Sequence, residues 1–115
     1  MQSERSTTKP IRPKIICLCG STRFWRIFQK ESLRLACERV IVLSIGSASG
    51  SDEDHGITPE QKAIFVELHM RKIDLADEVL VLNVGGYIGE HTRDEIFYAE
   101  GLGKPVNYME PITQI

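Results

Sequence analysis

Four consecutive apolar residues, Val79-Leu80-Val81-Leu82, run without polar alternation into Asn83-Val84-Gly85-Gly86-Tyr87-Ile88-Gly89, and then into Glu90-His91-Thr92-Arg93-Asp94-Glu95-Ile96. A strand with one wet face alternates apolar and polar residues. An unbroken apolar run is what a parallel strand covered on both faces needs. Gly85, Gly86 and Gly89 let backbone come close to a ligand. The following helix would turn its free N–H groups, and the positive end of its dipole, toward an anion. This stretch predicts a buried parallel strand, a glycine-rich turn and a helix start. It therefore requires partner strands and covering helices from the rest of the chain.

Those partners are legible. Residues 15–19 form a short apolar run that ends in Gly20-Ser21-Thr22, where Ser21 or Thr22 can N-cap a helix reaching about Cys37. Phe24, Ile27, Phe28 and Leu35 share a face of that helix, with Arg26, Lys30 and Arg34 mostly off it. Residues 40–44 read as a second strand. Residues 45–57 read as a loop long enough to be a lid or binding loop. Thr58, Pro59 and Gln61 mark a helix start, as N-cap, first helical residue and capping-box partner. Ile64, Phe65, Leu68 and Leu75 supply its expected core side, and it ends near Ala76-Asp77. The last helix is expected from Thr92 to Gly103-Lys104-Pro105, a C-terminal glycine followed by proline. Residues 106–109 form the final strand.

The order β-α-β-α-β-α-β predicts an α/β fold with right-handed crossovers. The expectation is a Rossmann-like, flavodoxin-like three-layer sandwich with a parallel sheet of four to five strands. In such sheets ligands bind at the carboxyl ends of strands, near the point where strand order reverses. The Gly20–Arg23 turn, the 45–57 loop and the Gly85–Thr92 turn all leave carboxyl ends, so three separate stretches converge on one rim.

At 115 residues the chain fits one domain, expected over 14–115 behind a flexible tail over 1–13 that holds Pro10 and Pro13. A net charge of −2 marks neither a polymeric nucleic-acid binder nor a membrane binder. No apolar run approaches a membrane span. The three cysteines, Cys17, Cys19 and Cys37, fit neither a disulfide framework nor a zinc spacing. Cys17 and Cys19 alternate on one strand face as buried thiols, and a cytoplasmic setting is expected.

Glu95 is the candidate that matters most. Thr92-Arg93-Asp94-Glu95 has the form of a capping box, and on the residues alone a cap is the simpler role for Glu95. The competing role is a carboxylate held beside an anion site, which a glycosyl-accepting nucleophile requires. Gly20-Ser21-Thr22-Arg23 can cradle a phosphate or simply turn the chain. It lacks the lysine of a Walker loop and the three glycines of a dinucleotide fingerprint. His69, Lys72, Asp74 and Asp77 lie on or just after one helix. His69 and Asp74 can reach the rim, Lys72 reads as a solvated residue, and Asp77 as a helix terminator. Tyr87 can stack on a base. His55, His69 and His91 suggest a metal, but His55 sits in a loop and the other two lack a close acidic or cysteine partner at ligand spacing. No metal and no cofactor are expected.

With these residues assembled, the chain resembles the nucleoside 2-deoxyribosyltransferase-like superfamily. Cys19-Gly20-Ser21-Thr22-Arg23 is similar to the family's first strand and sugar or phosphate turn. Ala76-Asp77-Glu78-Val79-Leu80-Val81-Leu82 is similar to its third strand. Gly89-Glu90-His91-Thr92-Arg93-Asp94-Glu95-Ile96-Phe97-Tyr98-Ala99, with Gly103-Lys104-Pro105-Val106, resembles the segment that carries the nucleophile. That last segment is also similar to the glycine-threonine-glutamate motif of the related nucleoside-monophosphate phosphoribohydrolases.

The resemblance implies cleavage or exchange of the N-glycosidic bond of a nucleoside or nucleoside 5′-monophosphate. Glu95 would attack C1′, and water or a second base would resolve the glycosyl-enzyme. Gly20, Ser21, Thr22 and Arg23, with Asn83, Gly86, Tyr87, Gly89 and Thr92, would bind sugar, phosphate or base. The family's aspartate that assists the departing base falls on His69 in this chain, with Asp74 the nearest carboxylate, and Asn83 stands where some members have a further carboxylate. A homodimer or higher homo-oligomer is implied as well. The alternative is a non-catalytic nucleotide-binding sensor or accessory protein on the same fold.

Overall fold

The computed structural model describes residues 12–45 and 55–112. The expected tail up to residue 11 and most of the expected 45–57 loop lie outside the described residues. The elements, in chain order, are β1 (Ile15–Cys19), α1 (Trp25–Cys37), β2 (Ile41–Leu43), α2 (Pro59–Leu75), β3 (Glu78–Val81), α3 (Glu90–Gly101) and β4 (Val106–Tyr108). The four strands form one parallel sheet in the order β2-β1-β3-β4. From β1 the chain moves to one side to build β2. It then crosses over β1 to build β3 on the other side, so strand order reverses between β1 and β3.

Alternation along the two central strands sorts the core into two halves. Ile16 and Leu18 of β1, with Leu80 and Leu82, pack with Phe28 and Leu35 of α1. Cys17 and Cys19, with Val79 and Val81, pack with Ile73 of α2 and Ile96 and Ala99 of α3. Helices therefore cover both faces, as the apolar run at Val79–Leu82 requires. Gly20 makes the close approach possible at the end of β1. A Cβ there would meet the Leu82 carbonyl oxygen at 3.2 Å and the Phe28 ring at 3.3 Å.

The helix ends follow local rules. Thr58 and Gln61 form the expected capping box, with Gln61 N–H donating to Thr58 Oγ1 at 3.1 Å and Thr58 N–H donating to Gln61 Oε1 at 3.0 Å. At the end of α3, Gly103 has φ +74°. Its N–H donates to the Glu100 carbonyl and that of Lys104 to the Ala99 carbonyl, a Schellman closure. Lys104 then reaches across the fold. Its Nζ donates to the carbonyls of Ile73, Asp74 and Ala76 at 2.9, 2.6 and 2.6 Å, so a cation caps the carboxyl end of α2.

Two expectations about the elements need correction. The side of α2 assigned to the core by Ile64, Phe65, Leu68 and Leu75 is exposed. Its buried residues are His69 and Ile73, one turn apart. The helix α3 also begins earlier than expected. Arg93 N–H bonds the Gly89 carbonyl at 2.9 Å, so Gly89 is the N-cap and Thr92 lies inside the first turn.

At the amino edge of the sheet, Asp77 does more than end a helix. It accepts two bonds from the Arg12 guanidinium, both at 2.8 Å, and one from Ile15 N–H at 2.7 Å. The chain is thus anchored from Arg12 onward, inside the stretch expected to be tail. The Arg12 partner and the Ile15 amide hold the Asp77 carboxyl well below its ordinary pKa.

Candidate functional site

The carboxyl ends of β1 and β2, the turn after β3 and the facing sides of α2 and α3 enclose a cavity of about 530 Å³. Gly20, Ser21 and Thr22 line it from the end of β1, and Ile45 from beyond β2. Tyr87, Gly89, Glu90, His91, Thr92 and Glu95 come from the turn and α3. The α2 side gives Lys62, Phe65, Val66, Leu68, His69 and Lys72, preceded by His55 and Ile57. The cavity lies at the reversal of strand order, where open parallel sheets bind ligands. Its lining carries two lysines and three histidines beside two glutamates.

Glu95 lies at the floor of this cavity, only 8% exposed. The early start of α3 decides its role. Thr92, Glu95, Ile96 and Ala99 form the buried stripe of α3, and the helix N-terminus carries no side-chain cap. The capping box expected between Thr92 and Glu95 is therefore not formed, because the chain enters the helix at Gly89. The nearest charged neighbour of the carboxylate is His69, with Nε2 3.9 Å from Glu95 Oε1.

His69 is the centre of a four-residue cluster. Its Nε2 lies 3.5 Å from Cys17 Sγ and 3.4 Å from Cys19 Sγ. This corrects the expectation that His69 lacks a close cysteine partner at ligand spacing. The partners come from β1 and α2, about fifty positions apart in the chain. A signal existed: Cys17 and Cys19 share a strand face, and His69 precedes the core residue Ile73 by one helical turn. Cys17, Cys19 and His69 present donor atoms that all lie within 4.8 Å of one another, a set able to hold a metal ion.

The cluster is electrostatically coupled. Burial raises the pKa of Glu95, against the opposing pull of His69. Burial alone would lower His69, but the Cys17 hydrogen bond and the charges of Cys17 and Glu95 outweigh it and hold the imidazole above its ordinary value. The hydrogen bond between the two thiols splits them. Cys17 loses its proton well below the usual thiol range, and Cys19 holds its proton above that range.

Other candidates fall inside or outside this arrangement. Ser21 Oγ accepts from Arg23 N–H at 3.3 Å and caps the turn before α1, while Gly20, Ser21 and Thr22 all line the cavity. Arg23 does not line it. Its guanidinium lies 4.6 Å from the centre of the Tyr87 ring, which also meets Phe24 edge-on. Asn83 is outside too: its amide exchanges two hydrogen bonds with the Glu110 backbone, both 2.9 Å, and so fastens the chain beyond β4. Gly86 is not among the lining residues. Asp74 faces away, bonded to the Tyr98 hydroxyl at 2.5 Å and to Arg71 at 3.1 Å. Lys72, expected to be solvated, lines the cavity and donates to the Ser44 carbonyl at 2.5 Å.

Comparisons of the chain with protein-family models, with curated proteins and with solved structures gave no match. No helix among the described residues is long and apolar enough to cross a membrane.

Proposed function

We propose that this protein cleaves, or exchanges the base of, the N-glycosidic bond of a nucleoside or nucleoside 5′-monophosphate, with Glu95 as the nucleophile. The observation that carries the reading is the position of Glu95, a buried carboxylate at the floor of the cavity and released from helix capping. Glu95 Oε1 attacks C1′ as the C1′–N bond breaks, and the electron pair leaves with the base. The base takes its proton from the cavity wall, where His91 is the imidazole on α3. Water, or a second base, then displaces the carboxylate from C1′. His69 is a positioning residue in this scheme, its imidazole steadying the buried Glu95 charge. Asp74 has no part, being engaged by Tyr98 and Arg71.

The cavity wall supports a nucleotide-sized ligand. Ile57, Phe65, Leu68 and Tyr87 offer apolar or aromatic surface for a base. The uncapped N-terminus of α3 and the Gly20-Ser21-Thr22 turn offer N–H and hydroxyl groups for sugar or phosphate. Phe65 and Leu68, with Ile64 beside them, are solvent-exposed on α2, which supports a homodimer whose partner helps close the cavity.

A nucleotide sensor is the second reading. It is favoured by the scarcity of acids, since Glu90 and Glu95 are the carboxylates among the described lining residues. A panel of ribo- and deoxyribonucleosides and their monophosphates, assayed for free base by chromatography, separates the two. Base release by the wild type, reduced about a thousandfold or more in Glu95→Gln, is the expected result. Ligand binding with no release from any substrate would establish the sensor instead.

A further inference from the structure

We propose that Cys17 Sγ, Cys19 Sγ, His69 Nε2 and Glu95 Oε1 form a binding site for a zinc-like divalent cation at the floor of the cavity. The first argument is the count of hydrogen-bonding possibilities. A neutral imidazole nitrogen carries one proton or one lone pair, so it can serve one partner well. Here two sulfurs lie at 3.5 and 3.4 Å from one nitrogen, with a carboxylate oxygen at 3.9 Å. A cation among the two sulfurs and the nitrogen satisfies these three at once, and the Glu95 carboxylate can turn in to complete its shell.

The second argument is geometric. Zn–S bonds of about 2.3 Å and Zn–N bonds of about 2.0 Å, set at the tetrahedral angle, separate sulfur and nitrogen by about 3.5 Å. The two observed sulfur–nitrogen distances are 3.5 and 3.4 Å. Glu95 Oε1 lies 3.9 Å from His69 Nε2 but outside the set of three donor atoms within 4.8 Å of one another, so the carboxylate must swing inward to complete the tetrahedron. Two thiolates, an imidazole and a carboxylate also select a borderline-soft ion over magnesium or calcium, which take oxygen ligands.

The third argument is access. His69 and Glu95 line the cavity, while Cys17 and Cys19 are fully buried behind them. An ion can enter from the cavity and bind against the thiols. Occupancy would make Glu95 a ligand and remove it as a nucleophile, so zinc would inhibit base release. That consequence rests on the glycosidase reading, whereas the binding site itself does not.

The test is a titration of the full-length, reduced protein with Co²⁺, read by the thiolate-to-cobalt charge-transfer band and the intense visible bands of tetrahedral cobalt. The expected result is saturation at one ion per chain, reversed by Zn²⁺. Cys37→Ser, which alters an exposed thiol, should leave the spectrum unchanged. Cys17→Ser or Cys19→Ser should remove roughly half of the charge-transfer intensity and weaken zinc binding about tenfold or more. No thiolate band in the folded wild type would overturn the site, as would a band that survives Cys17→Ala with Cys19→Ala or disappears in Cys37→Ser. If the double variant does not fold, X-ray absorption of the zinc-loaded wild type decides. Two sulfur scatterers at about 2.3 Å support the site, and a shell of only nitrogen and oxygen overturns it. Base release is assayed separately on metal-free protein, so its absence would leave the cobalt result standing.

Discussion

At the scale of single residues, the central fact is a carboxylate in a place that disfavours its charge. Glu95 is buried, and burial raises its pKa above the ordinary carboxylate value while His69 opposes the shift. A nucleophile must be ionised. Base release should therefore fall as pH drops through a pKa above the usual glutamate range. A pH–rate profile of kcat/KM checks this. An acid limb at the ordinary glutamate value would show that the burial of Glu95 does not govern its protonation. The capping-box pattern at Thr92–Glu95 was a correct local signal placed in the wrong frame. Sequence spacing reveals a possible cap, but the helix start depends on how the chain leaves Tyr87 and Ile88. With Gly89 extended, the helix begins at Glu90 and turns Glu95 inward.

At the scale of elements, the sheet and helix order were legible because burial on two faces leaves continuous apolar strands. Residues 15–19 and the run at 79–82 are of that kind; the first lies where expected, and the second is β3 set one residue earlier, over Glu78–Val81. The buried face of α2 was not legible. Its apolar residues are spread around the helix, and periodicity cannot tell a core residue from an exposed one awaiting a partner. The contact between Lys104 and the end of α2 was equally hidden, since it joins residues about thirty positions apart. That contact makes a stability prediction. Lys104→Met keeps the side chain's length but leaves three carbonyls at a helix end without their cation. It should cost about 1–3 kcal/mol in urea unfolding. A loss under about 0.5 kcal/mol would mean that water replaces the ammonium at no cost.

At the scale of the whole molecule, the cavity lies at one end of the strands and the anchors at the other. The cavity lies at the carboxyl ends of β1 and β3, while Arg12, Asp77 and Lys104 gather at the other end of the sheet or beside it. Asp77, read from the sequence as a helix terminator, thus acts as a brace. Exposed Ile64, Phe65, Leu68 and Leu75 on α2, and Phe97 on α3, leave apolar surface uncovered in the single chain. Light scattering should give twice the chain mass for the wild type. Ile64→Lys, outside the cavity lining, should shift it toward the single-chain mass, and a wild-type monomer at all concentrations would remove the dimer from the account.

The most direct measurement concerns the bond that Glu95 is proposed to form. A nucleoside, or its monophosphate, carrying fluorine on C2′ should still be attacked but released slowly, because the electron-poor sugar resists the cationic transition state of the second step. After incubation and proteolysis, mass spectrometry should find the fluoropentosyl mass on the peptide that contains Glu95, and no such adduct in Glu95→Gln. Base release with the adduct on another residue, or a Glu95→Gln protein that releases base at the wild-type rate, would contradict the assignment.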